Sequence, residues 1–344
     1  MRKYSKKLFS AILGMTIVLT AAGCQNTKSG SAQESESASE AETKEADTKA
    51  EETQISETKE GEASGTRTVH TVMGEIQVPS DPKRVVVNWY IGDALALDLN
   101  VVGYYGWSHE AMPFYDKMQS TTEIKNWEQE EVMALEPDLI ITYSKDDFDT
   151  FKSIAPVIVA PEGDMKSLER LLFLGESTGR LEKAESLVKT FETKLAAGRE
   201  ILKSDRFKDK TFSITEDWGS ASYGVYYETE SRGGTILYEY LGMKKPEKLE
   251  QLIKDSGEGR GGLSYEVAAD YFGDFMLWFR PYNSVEDVPS EYETSTIWNS
   301  LPAVQAKRVV TIPGKMSGLF YYSDILSLTA QLDYIVDAID STEK

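Results

Sequence analysis

Cysteine and histidine are almost absent from the 344-residue chain, which carries one Cys and two His. A single cysteine excludes an intramolecular disulfide framework and a cysteine-built zinc site. His70 and His109 are too few imidazoles for a His-rich metal centre made by the protein alone. Positive charge is also scarce: 37 Lys and Arg stand against 57 Asp and Glu, a formal net charge of −20. Such a chain is a poor binder of nucleic-acid backbone. The sequence has no G-x-S-x-G elbow, no Walker-type phosphate loop and no G-x-G-x-x-G after a strand. Catalysis is therefore disfavoured, and no catalytic residue is assigned. What is there in quantity is apolar and aromatic material, 40% and 10% of the residues, enough for a real core.

The N-terminal end does not belong to that core. Arg2, Lys3, Lys6 and Lys7 form a positive segment before the short apolar run Leu8–Thr20, and Ala21-Ala22-Gly23-Cys24 follows. The run is too short to span a bilayer comfortably but suits a signal-peptide core. Small residues directly before a cysteine look like a bacterial lipobox, although Ala21 stands where Leu is more usual. Residues 1–23 are thus expected to be a lipoprotein signal peptide, and Cys24 the lipidated mature N-terminus. Residues 24–66 follow as an acidic tether. From Gln25 to Thr66 there is no aromatic and no Pro, and Ile55 is the one large aliphatic. Such a segment cannot bury enough apolar surface to offset ordering entropy. As a flexible leash it would reach roughly 35 Å root-mean-square.

From Arg67 the pattern changes. Val85–Val87, Val101–Tyr104, Asp138–Tyr143 and Pro156–Val159 read as strands, with helical patterns over Ile91–Leu99, Glu130–Leu135 and Asp146–Ile154 between them. Alternation of this kind implies parallel strands joined by crossover helices. A short helix and then a long one, roughly Leu181–Leu202, are expected next, the second near 30 Å long. Beyond Lys210, strands over Thr211–Thr215, Gly224–Tyr227, Asp274–Phe279 and Arg308–Ile312 alternate with helices over Gly234–Leu241, Glu266–Tyr271, Thr296–Ala303 and Ile325–Ile339. The glycine-rich stretch Gly257–Gly262 follows none of these strands and reads as a flexible loop. The expected organisation is an N-terminal α/β lobe (67–164), a linking helical segment (165–205) and a C-terminal α/β lobe (206–344). The sheets are mainly parallel, one long helix bridges the lobes, and a ligand cleft lies between them.

A faint internal repeat crosses the two lobes. Glu130 is followed eight residues later by Asp138-Leu139-Ile140-Ile141, and Glu266 eight later by Asp274-Phe275-Met276-Leu277. Each Glu starts a helix that feeds an apolar strand. Helix-dipole complementarity accounts for this. So does one exposed Glu at an equivalent place on each lobe.

Together, Pro82–Val87 (PKRVVV), Glu130–Ile141 (EEVMALEPDLII), Arg232-Gly233-Gly234 and Trp298–Val310 (WNSLPAVQAKRVV) resemble the substrate-binding lipoproteins of ABC importers for iron–siderophores and cobalamin. The resemblance runs over about Gly74–Ala338. Within that family the chain looks most like the Gram-positive ferric-hydroxamate binders. The resemblance implies two α/β lobes bridged by one long helix, with the ligand between them. It also implies that Arg232 faces the iron complex and that Glu130 and Glu266 pair with arginines of a membrane permease dimer. Two departures stand out: Glu230 replaces an aromatic usual two residues before Arg232, and Tyr321 replaces a common Trp.

A ferric siderophore brings its iron(III) already coordinated, so the protein needs no metal ligand and no cofactor of its own. It needs apolar walls and a few hydrogen-bond donors. Trp89, Tyr90, Trp107, Tyr143, Trp218, Tyr223, Trp278, Tyr321 and Tyr322 fall in strand-end or loop segments where such walls are built. Core packing is the competing account of each. Arg232 and Arg280 offer bidentate donors for hydroxamate or carboxylate oxygens. His109 is expected at the surface. Without the signal peptide and tether, 46 acidic and 29 basic residues remain from Arg67 on. The acidity belongs to the folded part, and it leans against polyanionic cargo. The expectation is a monomeric, lipid-anchored, extracytoplasmic binder of a ferric siderophore, with haem or cobalamin as the other cargoes and a non-transport surface lipoprotein as the alternative.

Overall fold

The computed structural model describes residues 65–282 and 288–342. The signal peptide, Cys24 and all of the tether before Gly65 lie outside the described residues. A hairpin that the strand pattern does not announce opens the fold, with β1 (Thr66–Thr71) antiparallel to β2 (Gly74–Pro79).

The N-terminal lobe holds β3 (Val85–Asn88), β4 (Val101–Tyr105), β5 (Thr122–Glu123), β6 (Leu139–Thr142) and β7 (Val157–Val159), in the spatial order β5-β4-β3-β6-β7 and wholly parallel. Every residue of β3, β6 and β7 is buried. That is why they read as unbroken apolar runs rather than alternating ones: helices cover both faces of a parallel sheet.

The C-terminal lobe holds β8 (Phe212–Asp217), β9 (Val225–Glu228), β10 (Arg260–Leu263), β11 (Phe275–Phe279) and β12 (Val309–Ile312), ordered β10-β9-β8-β11-β12. Only β8, β11 and β12 are parallel, and β9 and β10 run antiparallel at one side. The glycine-rich stretch is therefore corrected: its second half is β10, not a loop. Glycines carry no side chain to display a period of two. They are needed because an added Cβ on Gly262 would stand 2.5 Å from the Tyr223 carbonyl oxygen. An amphipathic helix, Glu247–Ser256, which the sequence pattern does not announce, leads into this strand.

Two other elements differ in detail. The helix over Gly234–Leu241 is wound as a π-helix, Thr235–Tyr240. The one over Thr296–Ala303 breaks into Thr296–Ser300 and Pro302–Gln305, because Pro302 drives Leu301 out of the helical region.

The long helix occupies Leu181–Leu202. It buries Ala184, Phe191, Leu195, Gly198 and Leu202, one stripe at helical spacing. The stripe packs on the helix Ser167–Thr178 at its start, where Ala184 meets Gly175, and on the last helix, Ile325–Ser341, beyond it. At Gly198 an added Cβ would meet Val336 Cγ2 of that last helix at 2.9 Å, so the side chain has to be absent there. A single apolar cluster runs from Val85, Val87 and Ile141 of the first lobe, through Phe191 and Leu195, to Phe212, Leu277 and Leu332 of the second. The lobes thus share a core, and that core fixes the floor of the space between them.

Candidate functional site

A cleft of about 600 Å³ opens between the lobes, lined from one side by Trp89, Tyr90 and the Glu162–Arg170 segment, joined there by Tyr321 and Tyr322, and from the other by Trp218 and Glu228–Arg232. Trp89 directly follows β3, at the carboxyl end of a parallel sheet, where α/β folds place ligands. Its backbone is left-handed, with φ 71°. That conformation is uncommon for a bulky residue and concentrates where function over-determines it. The Trp89 ring meets Tyr322, Tyr321 and Tyr143 at 5.3, 5.7 and 6.4 Å between centroids. Trp107 packs behind Tyr321 at 4.4 Å. These edge and tilted contacts make one stiff aromatic wall.

Two of its phenols are already committed. Tyr90 donates to the Ala160 carbonyl at 2.8 Å. The Tyr322 hydroxyl donates to the Trp107 carbonyl and accepts from the Trp107 N–H, both at 2.9 Å. Tyr322 therefore pins the wall together, while Trp89 and Tyr321 present the usable surface.

The opposite side is polar at its base. Register places Glu228 against Ile214 and Tyr226 against Glu216, so Glu216 and Glu228 project from the same sheet face. Each holds an arginine. Glu216 accepts from Arg232 Nε at 3.1 Å. Glu228 lies 3.3 Å from Arg260 Nη2 and also accepts from Ser231 Oγ at 2.6 Å. Burial pushes the Glu216 carboxyl up and Arg232 draws it back. Because Glu216 engages only Nε, and no other contact of the guanidinium is found among the described residues, the terminal nitrogens keep their N–H donors for a ligand. Arg232 is also left-handed, with φ 53°. Trp218 stands above, 5.9 Å from both Tyr223 and Tyr226.

A third group lies at the back of the cleft, where the lobes join. Arg170 Nε meets Asp93 Oδ2 at 2.7 Å, its Nη2 donates to the Ser323 carbonyl at 3.1 Å, and its guanidinium lies 4.5 Å from the Tyr90 ring centroid. Asp93 is fully buried, and its Oδ1 has no partner among the described residues. Asp324 caps the last helix, accepting from the Leu326 and Ser327 N–H groups at 3.0 Å. Burial, and then the charge of Asp93, push Asp324 up to about 6. A carboxyl raised in the folded state contributes stability fully below its unfolded value near 4 and loses it as pH rises through 6. Asp324→Asn keeps a competent cap and deletes the buried charge. It should raise unfolding stability by about 1–3 kcal/mol at pH 7.5. Urea titrations of both proteins from pH 4 to pH 8 should converge at the acid end; parallel curves would refute the assignment.

Two of the expected ligand residues face elsewhere, and the sheet register is the reason. Trp278 pairs with Thr215 in the ladder, so it shares the face opposite Glu216. It is fully buried there against Trp298 at 4.7 Å and Tyr292 at 5.6 Å. Arg280, two residues on, leaves from the same face. Its Nε and Nη2 bind Glu293 at 3.0 and 2.9 Å. Burial opposes the Glu293 charge, but Arg280 and the Ser290 N–H outweigh it and hold the carboxyl below its usual range. Trp278 is a core residue and Arg280 half of a structural ion pair. Trp107 and Tyr143 form the second row of the wall. His109 is half-buried and accepts from the Ala111 N–H at 3.1 Å. Arg260 was missed because it sits in the strand read as a loop, and Asp93 and Arg170 because nothing local marks a helix residue as cleft-lining.

Residues 91–316 match the model of the periplasmic binding protein family. The chain belongs to that family. Among curated members of known sequence, the iron(3+)-hydroxamate-binding protein YxeB of Bacillus subtilis is 32% identical over 81% of this chain and 86% of its own. Among solved structures, a FhuD-fold periplasmic binding protein from Bacillus subtilis, a component of a ferrichrome ABC transporter, is 28% identical with a TM-score of 0.67, over 79% of this chain and 99% of that one. FhuD2 from Staphylococcus aureus with bound ferrioxamine B is 26% identical with a TM-score of 0.62, over 75% and 98%. Members of the periplasmic binding protein family are transport-substrate binders and not enzymes, and they work outside the cytoplasm. Among the described residues, no helix is long and apolar enough to cross a membrane.

Proposed function

We propose that this chain is the substrate-binding component of an ABC importer for ferric siderophores of the hydroxamate class. The observation that carries the reading is the pairing of an aromatic wall with an arginine whose terminal donors are free. Trp89 and Tyr321 offer flat apolar surface, while Glu216 holds Arg232 by Nε alone. The oxygens around a hydroxamate-bound iron are acceptors, and its linker chains are apolar, so the two halves of the cleft suit the two halves of such a ligand. Iron(III) arrives as cargo, fully coordinated by the siderophore. The names of YxeB and of the ferrioxamine-bound FhuD2 support the same class.

The rest of the reading follows from a binding protein's task. Cys24 carries the lipid, the residues between it and Gly65 act as the leash, and the domain works as a monomer that hands its cargo to a permease dimer through Glu130 and Glu266. The shared core beneath the cleft favours small adjustments of the lobes over wide closure. Titration of the purified domain with ferric hydroxamates, a ferric catecholate, haem and cobalamin, followed by tryptophan emission, tests the cargo. Trp89 and Trp218 line the cleft, so quenching by hydroxamates at micromolar levels or below is expected. Absence of quenching by every hydroxamate, or tighter binding of haem or cobalamin, would overturn it.

A further inference from the structure

The charges around the cleft do not balance. Every cationic side chain that lines it already has a carboxylate: Lys166 has Glu239 at 2.5 Å, Arg170 has Asp93 at 2.7 Å, Arg232 has Glu216 at 3.1 Å and Arg260 has Glu228 at 3.3 Å. Two lining carboxylates remain, Glu162 on the first lobe's side and Glu230 on the second's, both exposed. Neither side chain has a hydrogen bond or ion pair among the described residues. Asp324 adds a third negative group, held in its helix cap. Asp93, also among the cleft residues, is fully buried and has its charge matched by Arg170. An anionic ligand would thus meet no cation that is not already neutralised, and it would meet surplus carboxylates.

The aromatic wall bears on the same point. Trp89, Tyr321 and Trp218 share the cavity with Glu162 and Glu230. Aromatic faces beside free carboxylates are the environment that recognises an ammonium group, by ring quadrupole and by charge together. The core of a ferric tris-hydroxamate is electrically neutral, because three hydroxamates balance iron(III). Its pendant group alone then decides how it fares in this field.

We propose that Glu162 and Glu230 make the cleft selective for ferric hydroxamates that carry a protonated amine, over neutral and anionic members of the class. Arg232 serves the neutral iron core, and the two glutamates receive the pendant cation. This rests on the hydroxamate reading given above. It also assigns a role to Glu230, the residue that departs from the aromatic usual at its position: a hydrophobic contact is exchanged for charge.

The test uses one scaffold in three charge states: a linear ferric trihydroxamate ending in a primary amine, its N-acetyl form and its N-succinyl form. Dissociation constants are measured by tryptophan quenching at 0.05 and 0.5 M salt. The amine form should bind about tenfold more tightly than the acetyl form at low salt, with the succinyl form weakest. The gap should narrow at high salt, where exposed charges are screened. In Glu162→Gln/Glu230→Gln the amine-to-acetyl ratio should fall below about twofold, with each single variant in between. Glu185→Gln, on the exposed side of the long helix, should keep the full ratio and controls for net charge. Equal affinity for the amine and acetyl forms in the unaltered domain would overturn the proposal and leave the hydroxamate reading standing. So would a ratio that survives in the double variant. Failure of all three ligands to bind would overturn both.

Discussion

Replacing Arg170 with Met is expected to lower the unfolding free energy by about 3–5 kcal/mol, because it leaves a buried carboxylate without its partner. The reason lies in what surrounds the guanidinium. Asp93 comes from the first lobe's helix Ile91–Ala96, Arg170 from the linking helix Ser167–Thr178, and the Ser323 carbonyl from the turn before the last helix. One side chain ties three segments where the lobes meet. Asp93 is fully buried and Asp324 lies close enough for each to disfavour the other's charge. Remove Arg170 and two carboxylates face each other with no cation between them.

Double-mutant logic separates loss of the pair from loss of packing. Asp93→Asn alone should also destabilise, since it strands Arg170. Added to Arg170→Met, it should recover most of the loss, because the stranded charge is gone. The deficit of Arg170→Met should be larger at pH 8 than at pH 5. Asp324 sits near 6, burial raises Asp93, and protonation of either relieves the repulsion. Urea denaturation of the four proteins at both pH values measures all of this. A deficit below about 1 kcal/mol for Arg170→Met, or no recovery in the double variant, would contradict a buried, charge-compensating role. Cargo affinity should fall as well, through position: Arg170 lies along the Tyr90 ring, which directly follows Trp89 in the aromatic wall.

How much of this the sequence discloses depends on the range of the forces involved. The long helix was legible from Leu181 to Leu202 because its buried stripe repeats at helical spacing over 22 residues. Strands β3, β6 and β11 were legible because wholly buried strands leave uninterrupted apolar runs. Trp89, Trp218, Tyr321 and Arg232 were placed in the cleft by their position at strand ends or by family resemblance, and the cleft contains them. What escaped depends on which face a residue takes. Trp278 and Arg280 sit at a strand end as Trp218 does, yet register turns them to the far side of the sheet. No local pattern reports that choice when both faces are buried. Arg260 escaped because glycines on either side of it erase the strand signal. The left-handed backbones of Trp89 and Arg232 have no mark in the sequence, since neither residue type favours them.

Reversing both of the glutamates proposed for docking, Glu130→Lys together with Glu266→Lys, is expected to reduce cellular uptake of a ferric hydroxamate to below about a tenth. Cargo affinity of the purified domain should stay within about twofold. The expectation comes from the surroundings of the two residues. Each lies in the first turn of a short helix, one on each lobe, and is exposed. Neither has a cationic partner among the described residues, whereas exposed Asp98 has Lys183 and exposed Asp333 has Lys194. An exposed apolar residue accompanies each: Met133 beside Glu130 and Val267 beside Glu266. An unpaired charge flanked by exposed apolar surface is the composition of a contact that a partner completes. Charge reversal at such a site replaces attraction by repulsion on both lobes at once, so the double variant should lose more than the single variants do. From Arg67 on the chain carries 46 acidic and 29 basic residues, and long-range steering toward a positively charged partner survives in the variant. The loss should therefore persist at raised protein concentration, because the short-range contact is what has been broken. Neither residue lines the cleft, which is why binding and delivery should come apart. Uptake that stays above half of normal in the double variant would remove these two glutamates from the docking surface.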